Sequence, residues 1–414
     1  MTSEKERHVY VGLAWGDAVE PQPAGLLKLS RQGVVESGEF AYGRRYLQHP
    51  QACALHPDLL PLQAPAFVMP PQRLRDGGAL PLTLRDALPD SWGRRVLEAR
   101  QGGPVDDIDA LLLTNDDRVG AMVFAERLPL RPCEPPAVVH DLEALARASR
   151  QLDEGGEISK ALRDLLGGGS LGGARPKATF FLEGRRHIAK FASRADDCDM
   201  EIIEAATLDL AAACGMEIAG HTLQPLARGH ALLVRRFDRE GTAGEERRLH
   251  YLSCSAVLDV PYASSGGSYV EFAQALRRLS ARPGADLAEL FRRLVFNLAV
   301  GNSDDHVKNH GMLFDRTGQA RLAPAFDLVP QFGGFSGYQE LAILPGRRES
   351  RLALALEAAP HFGLDAAQAS AVVGAIVQRV AAGAAPAVLA RGGNRSLAAR
   401  MQDFVARRHR AITG

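Results

Sequence analysis

A change of sequence periodicity near Glu240 constrains the fold most strongly. Before it, short runs of alternating apolar residues are separated by turn residues, a pattern that predicts β-strands. After it, apolar residues recur at the spacing of amphipathic helices almost to the end of the chain. The 414 residues are enough for about three compact units. The sequence therefore predicts an α+β fold with the helices gathered in the C-terminal part.

A proline-rich segment divides the strand-rich part. Residues 8 to 45 read as a β-meander, and a helix is expected to begin near Trp92 with Asp90 or Ser91 as its cap. The segment DRVGAMVFAERL predicts a closing strand, and the prolines after Leu128 then mark a boundary. The predicted units are a β-rich N-terminal subdomain, an α/β small lobe and a mostly helical C-terminal lobe, at residues 1–135, 136–239 and 240–414.

Charge and cysteine content exclude several classes of protein. The 49 basic residues balance the 49 acidic ones, so bulk electrostatic binding to nucleic acid or to an anionic membrane is not expected. The N-terminus lacks an apolar signal region, and no run of 18 apolar residues occurs. Five scattered cysteines without a CxxC pair argue against a disulfide framework and a structural zinc site. We therefore expect a cytoplasmic protein without a membrane span.

The predicted small lobe has the element order strand, strand, helix, strand, strand. The two first strands are KATFFLEG and RHIAKFAS, the helix covers residues 199 to 214 and ends at Gly215, and EIAGHTLQPLA and HALLVRRFDR follow. This order is typical of a small lobe that clamps a nucleotide.

A glycine-rich segment, GGGSLGGARPKATF at residues 167 to 180, precedes the first of these strands. Glycine lets the backbone approach a phosphate closely, and successive N–H groups in such a turn can bind an anion. It is not a Walker A loop, because no GK[ST] follows and a strand comes next. A purely structural turn between helix and strand explains the same residues.

Lys190 lies on the strand that follows the glycine-rich segment. Protein kinases hold the nucleotide phosphates with a strand lysine at this place, paired with an acidic residue on the next helix. Glu201 and Glu204 are both on that predicted helix. Only six of the 49 basic residues are lysines, which favours a role that arginine would not fill. The alternative is an ordinary exposed strand lysine.

The segment FNLAVGNSDDHVKNHGMLFD, residues 296 to 315, packs polar groups between an apolar helix and a strand. Asp304 and Asn309 have the spacing of a kinase catalytic loop, in which the aspartate accepts the hydroxyl proton and the asparagine holds Mg²⁺. Asp327, in LAPAFDLVP, would supply a second magnesium ligand, and Lys308 could lie beside the transferred phosphoryl group.

Other interpretations of this segment stay open. The polar loop could be a solvated helix-capping turn, or His306 and His310 could join Asp304 and Asp327 in a transition-metal site. Asp305 is expected to be a supporting or solvated carboxylate. Outside the segment, Trp15 and Trp92 are expected to be core or interface anchors. The arginine clusters are expected on solvated faces, with the alternative that one of them binds a phosphorylated side chain or a nucleic-acid backbone. These clusters are Arg235-Arg236-Arg239, Arg247-Arg248 and Arg407-Arg408-Arg410.

The order of these motifs resembles the HipA family of bacterial toxin-antitoxin serine/threonine kinases. The resemblance rests on GGGSLGGARPK, HIAKF, VRRFDR, NSDDHVKN and APAFDLVP, and extends to LPDSWGRRVL and DRVGAMVF nearer the N-terminus. It implies a bilobal kinase fold with ATP and Mg²⁺ as cofactors. Two positions depart from the family pattern: Arg175 in the glycine loop and Arg235 before the predicted adenine-binding segment.

The resemblance also implies roles for individual residues. Asp304 would be the general base, with Lys308 as a second catalytic residue, Asn309 and Asp327 the metal ligands, and Ser170 the site of autophosphorylation. The remaining residues are implied to bind ATP: Leu171, Gly172, Gly173, Ala174, Lys177 and Lys190 at the phosphates, Arg236 and Phe237 at the adenine, and His306.

The same resemblance implies partners. A growth-inhibiting toxin of this family is neutralised by a HipB-like antitoxin with a helix-turn-helix, and operator DNA is bound mainly through that antitoxin. The implied substrate is a protein of the translation machinery, such as an aminoacyl-tRNA synthetase. Two other functions remain open from the residues: a small-molecule or lipid kinase, and a catalytically idle scaffold in the repressor complex.

Overall fold

The structure, a computed structural model, describes residues 5–16, 20–114, 117–130, 141–156, 173–264, 266–334 and 337–413. The chain forms two compact units. The first consists of Met1–Ile188, Asp238–Leu252 and Leu313–Gln319, and the second of Ala189–Phe237, Ser253–Met312 and Ala320–Gly414. The finer division into three subdomains remains a prediction.

An antiparallel sheet of five strands, in the order β4-β3-β2-β1-β5, builds the first unit. Its strands are β1 (Lys5–Leu13), β2 (Gln22–Gln32), β3 (Val35–Tyr42), β4 (Phe67–Arg73) and β5 (Met122–Ala125). Alternate residues such as Val9, Val11 and Leu13 of β1 are buried in its core, as expected for a sheet with one covered face. The predicted meander and closing strand are confirmed.

Among the described residues of the first unit, five helices accompany this sheet. They are α1 (Arg44–Leu47), α2 (Leu82–Arg85), α3 (Ser91–Gln101), α4 (Asp107–Leu113) and α5 (Leu142–Asp153), with a 3₁₀ turn at Leu74–Asp76. Helix α3 begins where the sequence predicts and ends at Gln101, and Gly102 follows it with a left-handed backbone that closes the last turn. Trp92 of α3 and Trp15 are both buried, which confirms their predicted place in the core.

The predicted strand, strand, helix, strand, strand segment is also present. It consists of β6 (Lys177–Leu182), β7 (Arg185–Phe191), α6 (Met200–Ala213), β8 (His221–Pro225) and β9 (His230–Arg235). Strand β6 is hydrogen-bonded to β7, and β9 lies between β7 and β8. Five short strands follow: β10 (Arg239–Glu240), β11 (Arg247–Arg248), β12 (His250–Ser253), β13 (Gly311–Phe314) and β14 (Ala320–Leu322).

Helices dominate the C-terminal part of the chain, as predicted. They are α7 (Cys254–Leu258), α8 (Tyr269–Leu279), α9 (Pro283–Val300), α10 (Leu352–Ala358), α11 (Ala366–Ala390) and α12 (Arg395–Thr413), with 3₁₀ turns at Tyr262–Ser264 and Ala359–Phe362. Helix α9 is buried along most of its length and ends at Val300, and Gly301 follows it in the left-handed conformation. The polar loop of residues 302–310 therefore follows directly after α9. The α+β class is confirmed.

Helix α11 is long and apolar enough to cross a membrane, and is the one such helix within the described ranges. Its inward residues, among them Val373, Ile376 and Val380, are buried, and it packs against α6, α9 and α12. A core helix meets the same criteria of length and composition, so α11 is weak evidence for a membrane span.

Candidate active site

Lys190 joins two carboxylates in the second unit. It lies on β7 and is 8% exposed, and its Nζ is 2.6 Å from Glu204 Oε1 of α6 and 2.6 Å from Asp327 Oδ1. Burial would lower the pKa of this ammonium, but Asp327 and Glu204 raise it above its ordinary value. Lys190 is therefore a buried cation rather than the exposed strand lysine of the alternative interpretation.

The backbone of Asp327 has an unusual conformation. Its φ of 58° lies in the left-handed region, which a residue other than glycine seldom adopts. The residues before it are fixed, because Ala219 N donates to Ala325 O at 2.9 Å and Ala325 N donates to Glu217 O at 2.8 Å. Such local strain persists where surrounding contacts enforce it, as they often do at functional sites.

The loop of residues 302–310 has an irregular backbone that neighbouring segments hold on two sides. Glu340 N donates to Ser303 O at 3.1 Å and Leu341 N to Asp305 O at 2.7 Å. On the other side, Cys254 N donates to His310 O at 2.8 Å. These bonds satisfy carbonyl groups that no helix or sheet ladder would otherwise use. The loop is thus anchored and is more than a helix-capping turn.

The two adjacent aspartates of this loop have opposite environments. Asp304 is exposed, whereas Asp305 is 1% exposed and bound by Tyr269 and His310. Asp305 is therefore a buried supporting carboxylate, and its interpretation as a solvated group is wrong. Loss of part of its hydration raises the pKa of Asp304, His306 acts to lower that pKa, and Asp327 and Glu340 raise it further. A raised pKa suits a carboxylate that must accept a proton.

Three other predicted residues of the second unit lie close to this loop or to Asp327. Asn309 is 8% exposed, and its Nδ2 donates to Asp304 O at 3.2 Å. The ring centroids of His306 and Tyr262 are 4.6 Å apart, and His306 Nδ1 accepts a hydrogen bond from the backbone N–H of Lys308. The Phe237 ring is 5.3 Å from Phe326, the residue before Asp327.

In the first unit, α3 holds the end of the glycine-rich segment. Ser170, Leu171 and Gly172 lie outside the described residues. Gly173 N donates to Asp90 Oδ2 at 2.6 Å, Trp92 N donates to Gly173 O at 3.3 Å, and Trp92 Nε1 donates to Lys177 O at 2.7 Å. Asp90 has the predicted N-cap position but caps no helix N–H. The N–H of Gly173 thus serves the protein's own carboxylate rather than an anion nest.

A positive φ of 93° makes Gly173 the required residue at this place. A Cβ on it would meet Lys177 Nζ at 2.6 Å, and Lys177 itself is 6% exposed. Ala174 follows directly. Gly173, Ala174 and Lys177 are therefore grouped beside α3, and their contact with ATP remains a prediction.

Two expectations are corrected by the structure. Arg236, Arg239 and Arg408 are buried rather than solvated. Arg239, for example, donates to the carbonyls of Gly120 and Arg118 and to the Asp238 carboxylate. The proposed transition-metal cluster is not supported either. His310 is turned onto Asp305, and the described part of the chain contains no group of three or more His, Cys, Asp or Glu that could hold a metal ion.

Sequence reasoning missed the residues beneath the loop. Asn297 and Tyr269 are fully buried and hydrogen-bonded to each other, and Asn302 donates to Asn297. The one available signal was a pair of asparagines in the apolar run FNLAVGN. A buried polar residue in such a run needs a partner, but the run does not show which.

A strand lysine paired with a helix glutamate, together with a loop that carries Asp304 and Asn309 and a downstream Asp327, is an arrangement typical of protein kinases. Comparison with known proteins gives the family. Residues 169–384 match the model of the HipA-like C-terminal domain. The chain is also 30% identical over 309 residues to the "Putative kinase Y4mE" of Sinorhizobium fredii, covering 70% of this chain and 71% of that protein. The chain therefore belongs to the HipA-like family.

One protein sequence and one solved structure from Shewanella oneidensis extend the comparison. The serine/threonine-protein kinase toxin HipA is 30% identical over 192 residues, which is 39% of this chain and 42% of the toxin. A structure of the HipA, HipB and operator DNA complex from the same organism superposes with a TM-score of 0.69 at 18% identity, over 97% of this chain and 96% of that chain. This likeness confirms the HipA-like fold.

Proposed function

We propose that this protein is a Mg·ATP-dependent serine/threonine protein kinase. The observation that carries the proposal is the double ion pair of Lys190 with Glu204 and Asp327, beside the loop that carries Asp304. The buried ammonium is a fixed positive charge that would orient nucleotide phosphates. Family membership and the names of the relatives support the same reaction class.

The oxygen ligands present suit Mg²⁺. Asp327 has a half-exposed carboxylate, and because Nδ2 of Asn309 donates to Asp304 O, the amide oxygen of Asn309 is the group left for a metal. Proteins usually bind Mg²⁺ through one or two carboxylates plus substrate phosphates, so a larger cluster of protein ligands is not required. When bound, Mg²⁺ neutralises charge on the phosphates.

Asp304 would orient the acceptor hydroxyl and take its proton. It is exposed, so an incoming serine or threonine can reach it, and its raised pKa favours proton acceptance. Lys308, on the same loop, would stand beside the transferred group. His306 would contact the nucleotide, and Arg236 and Phe237 would border the adenine.

The proposal extends to a biological role as the toxin of a toxin-antitoxin system in the bacterial cytoplasm. A relative named as a kinase toxin and a similar fold solved with HipB and operator DNA support it. The antitoxin would be a HipB-like helix-turn-helix protein through which operator DNA is bound. The substrate would be a translation protein such as an aminoacyl-tRNA synthetase, and autophosphorylation at Ser170 would switch the kinase off by placing a doubly charged group in the nucleotide loop.

The test is the intact mass of dephosphorylated protein before and after incubation with Mg·ATP. We expect the gain of one phosphate at Ser170, and none in Asp304→Asn, which should still bind ATP. Ser170→Ala should lose this phosphate yet retain transfer to another protein. ATP binding without any transfer, to itself or to proteins of a bacterial lysate, would instead favour an idle scaffold. Transfer to a lipid headgroup alone would favour a lipid kinase.

A further inference from the structure

A buried chain of polar side chains lies beneath the loop that carries Asp304. Asn302 Nδ2 donates to Asn297 Oδ1 at 3.2 Å, and Asn297 Nδ2 donates to the Tyr269 hydroxyl at 3.1 Å. That hydroxyl donates to Asp305 Oδ2, and His310 Nε2 is 2.9 Å from Asp305 Oδ1. All five side chains belong to residues that are at most 3% exposed.

Both oxygens of the Asp305 carboxylate are thus bound, one by a tyrosine and one by a histidine. A carboxylate in the protein interior is costly unless such partners compensate for the water it loses. The rings of Tyr269 and His310 also pack edge to face with centroids 5.2 Å apart. The two partners are therefore held against each other as well as against Asp305, and the direction of the Asp305 side chain is determined.

The backbone of Asp305 is fixed too, since its carbonyl accepts from Leu341 N at 2.7 Å. Asp304 is the preceding residue, and its own carbonyl accepts from the side chain of Asn309. The irregular backbone of Asp304 therefore lies between two fixed points. Neither Asp305 nor Tyr269 reaches solvent, so neither can touch a bound substrate.

We propose that Asp305, held by Tyr269 and His310, is a positioning residue that fixes the Asp304 carboxylate and the Asn309 amide for phosphoryl transfer. This inference rests on the proposed kinase function. Phosphoryl transfer is accelerated mainly by positioning and charge stabilisation, so a small displacement of Asp304 should slow the transfer step. ATP binding should change little, because neither Asp305 nor Tyr269 reaches solvent.

The test compares Asp305→Asn and Tyr269→Phe with the wild type in the full chain. The single-turnover rate of phosphate transfer from Mg·ATP, to the chain itself or to water, is measured per ATP-binding site counted by equilibrium dialysis. We expect Asp305→Asn to be about 100-fold slower and Tyr269→Phe about 10-fold slower, with the ATP Kd within about twofold of wild type. Asp403→Asn, an exposed aspartate on α12, is the matched control and should match the wild-type rate.

A double-mutant cycle separates positioning from general loss of stability. If Tyr269 acts through Asp305, the double variant should be no slower than Asp305→Asn alone, because the two changes break the same contact. Rates within twofold of wild type per ATP-binding site would overturn the proposal. Should Asp305→Asn not fold, Tyr269→Phe removes only a hydroxyl and decides the question. A wild type that binds ATP and transfers no phosphate to any acceptor would overturn the proposed function, and this inference with it.

Discussion

Lys190 and Asp327 are 137 positions apart in the chain, yet the ammonium of one lies 2.6 Å from the carboxylate of the other. The same ammonium holds Glu204 at an equal distance. One cation thus links strand β7, helix α6 and the segment after β14. The arrangement places the charge that is proposed to orient phosphates next to the carboxylate proposed as a metal ligand.

Replacement of Lys190 by Met should abolish phosphate transfer and destabilise the protein. The change leaves the Glu204 carboxylate, 5% exposed, without its partner, which should lower the free energy of unfolding by about 3 kcal/mol. The double variant Lys190→Met, Glu204→Gln should recover much of the stability without recovering transfer. Denaturant unfolding and a phosphate-transfer assay measure the two effects. Transfer by Lys190→Met at the wild-type rate would contradict the role of this lysine.

The rate of transfer should fall on acidification at a pH above the range of an ordinary aspartate. Asp304 must be ionised to accept a proton, and its pKa is raised, so activity is lost as pH falls through that raised value. Glu340→Gln removes one of the carboxylates that raise this pKa, and should move the acidic limb to lower pH. A pH-rate profile measures the shift. An unchanged or upward-shifted limb in Glu340→Gln would argue that another group controls it.

Asp90→Ala should weaken ATP binding, because Asp90 holds the N–H of Gly173 at the end of the glycine-rich segment. The loss of one hydrogen bond to a carboxylate corresponds to about a tenfold increase in Kd. Asp90→Asn keeps an oxygen that can accept the bond and is the matched control, with a smaller expected effect. Equilibrium dialysis with ATP gives both constants. Equal affinity of Asp90→Ala and wild type would show that this contact does not shape the nucleotide site.

Stability should decrease with acidification because of His250 in the first unit. Burial lowers the pKa of His250 to about 4, below its ordinary 6.5, and Nε2 lies 2.9 Å from Leu55 O. Between pH 4 and pH 6.5 the unfolded chain binds a proton that the folded chain does not. The free energy of unfolding therefore decreases as the pH falls from 6.5 towards 4. The difference between the two pKa values of His250 corresponds to a loss of about 3 kcal/mol in the free energy of unfolding over this pH range.

His250→Gln tests this contribution, since glutamine does not titrate but can donate to Leu55 O. Between about pH 4 and pH 6.5, the free energy of unfolding of His250→Gln should depend less steeply on pH than that of the wild type. The difference in slope should correspond to the uptake of up to one fewer proton on unfolding. Chemical denaturation at several pH values measures the slope. The same slope in variant and wild type would assign the acid sensitivity to other groups.

Much of the local structure could be predicted from the sequence. The periodicity of 2 or 3.6 residues indicates which side of a strand or helix is buried, so the predicted positions of the meander, α3 and α6 are close to the observed ones. The predicted helix also makes Glu201 and Glu204 candidate partners of Lys190, and the structure shows that Glu204 is the partner. The spacing of Asp304 and Asn309 is local too, and indicated an irregular loop between helix and strand.

The long-range pairs could not be predicted in this way. The sequence predicts that the arginine clusters lie on solvated faces, but Arg239 donates to carbonyls more than 100 residues away in the chain. Asp90 looked like a helix cap, but its carboxylate binds Gly173 instead. In both cases the local pattern shows that a charge needs a partner, and only the packing of distant segments supplies one.

Asp304 and Asp305 show which features follow from the local sequence and which follow from tertiary packing. The sequence by itself determined that a helix ends before Asn302 and that an Asp304-to-Asn309 loop follows, because these depend on local propensity and spacing. The tertiary structure decided that Asp305 is buried between Tyr269 and His310 while Asp304 faces solvent. Two identical side chains in succession have the same intrinsic chemistry. What differs is the desolvation and hydrogen bonding that residues 36 positions and 5 positions away impose on one of them.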